Sequence, residues 1–387
     1  MNQRTTELFF ALLRSAILNA KLTKEELELY SIDQLKELFK IAVKHDLAHL
    51  LALGLKQNGL IDKEKKSLEK YILKAVYRYE KLKYDYDNLL KSLENAKVPF
   101  VPLKGSILRK YYPEEWMRTS CDIDILVHSE DLERTINYLT KNLNYQLKER
   151  STHDVSLFTE NGTNVELHFD LVEEGRAVNS NEVLSTVWQN VSLLSGSDYQ
   201  YEMSDAFFYF YHIAHIAKHF ETGGSGIRPI IDLYILNNLK DANFLERENL
   251  INKGGLTRFN EVCKNLSEVW FSNKEIDVLT KKTQDFIIDG GLYGTVENRV
   301  VLGQKKKGGK VGYVFSRIFI SHEQLKRYYP ILEKHKILTP FMQVRRWFSL
   351  LKPGVFKMAK KEIKANKNID KENAKKMKEF LDDIGLK

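Results

Sequence analysis

Asp122 and Asp124 stand one residue apart in CDIDILV (121–127), and Glu166 follows further along in NVELHFD. The first run is β-branched and alternating, which reads as a strand. On a strand, residues i and i+2 point to the same face about 7 Å apart. Two carboxylates held that way repel, so their placement calls for a cation. In the second run Glu166, His168 and Asp170 share one face, while Val165, Leu167 and Phe169 take the other. If the two strands lie side by side, Glu166 becomes a third carboxylate in one cleft. Three converging acids suit Mg²⁺, a hard ion that takes oxygen ligands and bridges phosphate oxygens. Two such ions can clamp the attacking and leaving oxygens of an in-line phosphoryl or nucleotidyl transfer.

Gly105-Ser106, upstream in LKGSILRKYYPEEWMRTSCDIDI (103–125), supplies the complementary half of that chemistry. A glycine ahead of a helix lets the backbone approach a phosphate, and free N–H groups favour the anion. The Ser106 hydroxyl can add a hydrogen bond, and Lys104 and Arg118 can neutralise phosphate charge, Arg118 as a fork.

These residues need elements to hold them. PFVPLKG reads as a short buried strand ending at a functional turn, and Ser106 to Tyr112 as a short helix stopped by Pro113. A helix around Glu130 to Asn142 follows the D-x-D strand. HDVSLFTENGTNVELHFDLV (153–172) reads as two strands joined across Asn161-Gly162, a strong hairpin signal. Around this α+β unit the chain has a helical period, with a third N-terminal helix expected from about Glu64 to Ala96. From residue 181 helices return, broken by TGGSGIRP (222–229), DGG (289–291) and a basic loop, GQKKKGGKVG (303–312). The organisation expected is a helical region 1–97, a catalytic core 98–175, a helical domain 176–356 and a basic helical tail 357–387.

With 387 residues, 43% of them apolar, the chain can bury a large core. Cys121 and Cys263 are too few for a disulfide framework or a cysteine zinc site, which points to a reducing, cytoplasmic setting. No signal peptide or membrane span is legible. Half of the net +8 charge falls in the last 31 residues. Nucleic acid is therefore a partner to weigh, but a solvated lysine-rich face is favoured.

Taken in order, the strand, G-S, short helix, D-h-D strand and later acid-bearing strand resemble the DNA polymerase beta-like nucleotidyltransferase superfamily. More narrowly, LKG, Tyr112-Pro113, Arg118 ahead of DIDILV, and VELH are similar to its uncharacterised bacterial nucleotidyltransferase family. The similarity extends through HIAKH (215–219), GGSGIRPIIDL (223–233) and Tyr329-Pro330. The resemblance implies an α+β fold with a small mixed sheet flanked by helices. It implies Mg²⁺-dependent transfer of an NMP from an NTP to an acceptor hydroxyl, with pyrophosphate leaving. Asp122 and Asp124 would hold two metal ions, and Glu166 would hold the catalytic one and act as base. The acceptor is open between a small molecule, a peptide or protein, and an RNA end. An inactive nucleotide- or partner-binding relative is the alternative from another class.

Several other residues have competing readings. His212, His215 and His219 lie on one helical face, where packing is favoured over zinc. The resemblance gives His219, Arg228 and Asp232 a supporting or acceptor-side role, as it does His168, while Arg228 and Asp232, four apart, could form only an ion pair. His153 could face the cleft. The loop 303–312 reads as solvated, with a lid over phosphates as the lesser reading. Aromatics in 71–86 read as packing rather than a base-stacking platform.

Overall fold

A computed structural model describes residues 3–60, 67–151, 153–172, 179–272, 274–292, 294–349, 353–369 and 371–386. The expected start of the third helix at Glu64 and the expected end of the core at residues 173–175 fall outside the described residues.

Helices α1 (Gln3–Leu18), α2 (Lys24–Glu28), α3 (Leu35–Lys44), α4 (Ala48–Gln57) and α5 (Glu69–Asn95) open the chain. Leu8, Leu12, Leu13 and Ala16 bury one face of α1. The crossing of α1 over α4 is close enough that a Cβ on Gly54 would lie 2.2 Å from the Leu12 carbonyl oxygen, so only glycine fits there. Asp46, at φ +57°, turns the chain between α3 and α4. On α5, Tyr86 packs beneath the sheet, whereas Tyr77 and Tyr84 face solvent.

The central sheet has strands β1 (Phe100–Pro102), β2 (Asp122–Val127), β3 (Gln146–Arg150), β4 (Asp154–Phe158) and β5 (Asn164–His168). Their order is β1-β2-β5-β4-β3, with only β2 and β5 parallel, so the sheet is mixed. Between β1 and β2 lie α6 (Gly105–Leu108) and a 3-10 turn over Arg109–Tyr111; α7 (Leu132–Asn142) follows β2. Alternation sorts the side chains: Ile123, Ile125, Val127, Val165 and Leu167 pack against α5 and α7 in one core cluster. Their neighbours in sequence therefore face the other way. The β4–β5 connection is five residues long, with Gly162 at φ +78°. Buried Asp85 of α5 pins this loop by accepting hydrogen bonds from Thr159, Asn161 and Thr163.

After α8 (Ser180–Leu184) comes a second, unexpected hairpin, β6 (Val191–Leu193) with β7 (Tyr201–Met203). It lies beside β1, where Phe100 donates its N–H to the Tyr199 carbonyl at 3.0 Å. Strands this short carry too little alternation to read from sequence. Helices α9 (Asp205–Thr222), α10 (Arg228–Asn237), α11 (Phe244–Lys253), α12 (Thr257–Phe271) and α13 (Val278–Gly290) build the larger core with α1 and α4.

The expected loop 303–312 is mostly helical. α14 (Val296–Lys306) and α15 (Lys310–Ile318) leave only residues 307–309 between them, with Gly308 and Gly309 at positive φ. Tyr313 packs so closely on Gly303 that a Cβ there would meet its ring at 2.3 Å, which explains a glycine inside a helix. The chain ends with α16 (His322–Tyr328), which covers edge strand β3, then α17 (Thr339–Ser349), α18 (Pro353–Asn368) and α19 (Lys371–Asp383). The lysine-rich end is more than a solvated face: Leu381, Ile384 and Leu386 are buried in the main core. Among the described residues, no helix is long and apolar enough to cross a membrane.

Candidate functional site

Parallel pairing of β2 with β5 sets Asp122 beside Asn164, Asp124 beside Glu166 and Leu126 beside His168. The face turned away from the α5/α7 core thus collects Asp122, Asp124, Glu166 and His168. Asp124 is buried and accepts at one oxygen from two donors, Lys104 Nζ at 2.7 Å and His168 Nε2 at 2.9 Å. His168 Nε2 also lies 3.7 Å from Glu166. Because a carboxylate only accepts, the His168 proton sits on Nε2.

The three acids titrate apart. Burial alone would raise Asp124, but the Lys104 ammonium and the His168 hydrogen bond outweigh it and hold its carboxyl well below the usual range. Burial, and then the charge of Asp124, push Glu166 up to about 7, and the same two causes raise Asp122. Burial opposes the Lys104 charge, yet Asp124 keeps that ammonium protonated far above its ordinary range. His168 is lowered by burial and by Lys104, so it is neutral near pH 7. Lys104 pairs directly with Asp124, while Arg118 and Arg228 act on Asp122 from across the cavity, where each is already paired with an acid of its own. Oxygen donors crowded in this way fit a hard divalent ion: Asp124 and Glu166 bring ligand atoms within 4.8 Å of each other, and Asp122 shares their face.

The turn before α6 is tight. Lys104 has φ +44°, and a Cβ on Gly105 would lie 3.3 Å from both Arg118 Nη1 and Ser120 Cβ. Lys104 and Gly105 line a cavity of about 310 Å³ that opens onto Asp122, Asp124 and Glu166. Ser106 does not line it: its hydroxyl is buried without a hydrogen-bond partner.

The opposite wall comes from α9 and α10. Arg118 does not present a free fork. Its Nε and Nη2 bind Asp232 at 2.8 and 2.9 Å, and its Nη1 donates to the Thr119 carbonyl at 2.9 Å. Tyr112 donates to the same Asp232 at 2.7 Å. The i,i+4 pair expected between Arg228 and Asp232 is replaced by long-range partners. Arg228 donates to the Thr119 carbonyl at 2.7 Å and to Asp46 at 2.9 Å, and Asp46 also receives Arg78 and Thr119. Ser225 is buried on this wall, and both its hydroxyl and Arg228 Nε lack a hydrogen-bond partner.

Of the histidines, His212 donates Nε2 to the Pro229 carbonyl at 2.9 Å, and His215 and His219 meet at 3.0 Å through their Nε2 atoms. Among the described residues this trio is not a metal-ligating group. His153 does reach the sheet face: it contacts Asp154 at 3.0 Å, its ring lies 6.0 Å from that of His168, and both line an adjoining hollow of about 90 Å³.

The structure therefore gathers Lys104, Gly105, Arg118, Asp122, Asp124, Glu166, His219, Arg228 and Asp232 around one cavity, sets His168 directly behind it and leaves Ser106 outside. Asp46, Arg78, Thr119 and Ser225 escaped the sequence reading. Ser225 had a signal in its position within GGSG. Asp46 had none, because its partner Arg228 lies 182 residues away. A family model described as an uncharacterised nucleotidyltransferase matches residues 33–272. Neither a curated protein nor a solved structure matches the chain.

Proposed function

The chain belongs to the uncharacterised nucleotidyltransferase family, and from that premise we propose that it moves an NMP from an NTP to an acceptor hydroxyl, releasing pyrophosphate. The reading rests above all on the register that sets Asp124 against Glu166, with Asp122 on the same face. Asp122, Asp124 and Glu166 would hold Mg²⁺, two ions in the full site, which would supply charge neutralisation for the triphosphate. Lys104 and the backbone at Gly105 would steady the phosphate end. Glu166 would accept the proton of the acceptor hydroxyl as its oxygen bonds to the α-phosphorus and the bond to pyrophosphate breaks. Most of the rate enhancement would come from positioning and charge neutralisation.

The acceptor would enter along α9 and α10, where the unpartnered Ser225 hydroxyl and Arg228 Nε offer it hydrogen bonds. Arg118, with all its nitrogens engaged, would act through Asp232 to brace this wall, and His219 would support it. Residues 98–175 would form the catalytic core of a polymerase beta-like fold, with helical regions on either side. Reduced Cys121 and Cys263, together with the need for NTP, suit a cytoplasmic setting.

Incubation with each labelled NTP, Mg²⁺ and a panel of hydroxyl acceptors tests the reading. Wild type is expected to release pyrophosphate, and Asp122→Ala and Asp124→Ala to release none. Absence of metal-dependent NTP binding together with absence of pyrophosphate release would overturn it in favour of an inactive relative.

A further inference from the structure

Positive charge and exposed apolar surface concentrate together beyond the family match. Residues 303–364 contain sixteen Lys and Arg against three Asp and Glu, which exceeds the whole chain's net +8 and leaves the remainder acidic. Within this stretch, Val311, Phe315, Ile318 and Phe319 recur at the spacing of one helical face along α15 and just past its end, and all four are exposed, Val311 to 83%. Ile337, in the 3-10 turn Lys336–Leu338 just before α17, and Phe341, Val344 and Phe348 along the helix repeat the spacing, with Phe341 70% and Phe348 69% exposed.

The other faces of these helices do hold the protein together. Tyr313 of α15 is buried, and Gln343 and Trp347 of α17 donate to the Ile318 carbonyl at 2.7 and 2.9 Å. Phe319 packs edge-on to Trp347, with ring centroids 5.4 Å apart, so the end of α15 is held against α17. Lys310 on α15, Lys336 just before α17 and Arg345 on α17 are exposed. Contiguous apolar surface of this kind marks an interaction site.

We propose that α15 and α17 form a docking surface for an anionic membrane. The Phe, Ile and Val side chains enter the boundary between headgroups and acyl chains, and the surrounding Lys and Arg neutralise lipid phosphates. Half of the eight exposed side chains are aliphatic. These stack on no base but transfer well into hydrocarbon, which favours a lipid surface over RNA. A second copy of the chain is disfavoured by the like charge it would bring to the same face.

The test is flotation of the full chain with vesicles of phosphatidylcholine alone, and of phosphatidylcholine with phosphatidylglycerol, at low and raised salt. Binding is expected to be at least about tenfold stronger on the anionic vesicles and to weaken with salt. The double variant F341S/F348S is expected to lose at least about tenfold in vesicle binding, with an unchanged melting temperature because both rings lie in solvent. Equal binding to neutral and anionic vesicles, or full binding by the double variant, overturns the proposal. Tighter binding to single-stranded RNA than to vesicles, unaffected by F341S/F348S, overturns it in favour of nucleic acid. A concentration-dependent dimer abolished by F341S/F348S overturns it in favour of self-association.

Discussion

Arg118 and Asp232, 114 residues apart, meet in a buried two-pronged ion pair that ties the approach to β2 to helix α10. Tyr112 completes the cluster on Asp232, and the neighbouring cluster on Asp46 reaches Arg228 and Arg78. Together they span the N-terminal helices, the sheet and the C-terminal helices. Arg118, Arg228 and Asp232 all line the cavity between the sheet and α9/α10.

Removing Asp232 tests this bracing. Asp232→Ala leaves Arg118 buried without its counter-charge and is expected to cost about 3–5 kcal/mol of stability. Asp232→Asn keeps one acceptor and is expected to cost less. Denaturant unfolding of both variants checks the order, and an Asp232→Ala protein as stable as wild type would show that the pair braces nothing.

The two aspartates of β2 should part company when neutralised. Asp122→Asn removes a charge whose ionisation burial and Asp124 already oppose, so stability is expected to hold while transfer falls at least about 10²-fold. Asp124→Asn is expected to lose as much activity and also about 3 kcal/mol of stability, because Lys104 is left unpaired. Chelation of Mg²⁺ should silence wild type. Parallel pyrophosphate release and unfolding measurements separate these effects.

Ser225→Ala deletes a buried hydroxyl that has no partner, so it is expected to leave stability unchanged or slightly raised. If the acceptor binds there, its KM should rise about 3- to 10-fold, as for the loss of one hydrogen bond, while the KM for NTP stays the same. Equal shifts in both constants would move the acceptor elsewhere.

His49 supplies a pH dependence. Burial lowers it to about 4, and its Nε2 lies 2.8 Å from the Met117 carbonyl, to which it donates when neutral. A histidine with a depressed folded-state value contributes stability that is complete above its unfolded value near 6.5. That stability is lost as pH falls from there to about 4, up to roughly 3 kcal/mol. His49→Gln keeps a donor for Met117 and is expected to flatten the stability profile between those limits. An unchanged slope in denaturant melts across that range would exclude the contribution.

The carboxylates of the site were legible in the sequence because strand alternation is local. CDIDILV and VELH each declare which side chains share a face, and the apolar residues Ile123, Ile125, Val165 and Leu167 exclude a one-residue slip that would turn the acids into the core. The helices of the N-terminal region, the β4–β5 hairpin and the mixed α+β class were readable for the same reason. Tertiary structure alone decided what each cation binds. Lys104 and Arg118 looked equally available for phosphate, and Arg228 for an acceptor-side role or a pair with Asp232, but folding pairs Lys104 with Asp124, Arg118 with Asp232 and Arg228 with Asp46. It also converted most of a glycine-rich basic loop into helix, because Tyr313 fills the space that Gly303 leaves. Spacing along the chain fixes faces, whereas ion pairing depends on distances that only the packed core sets.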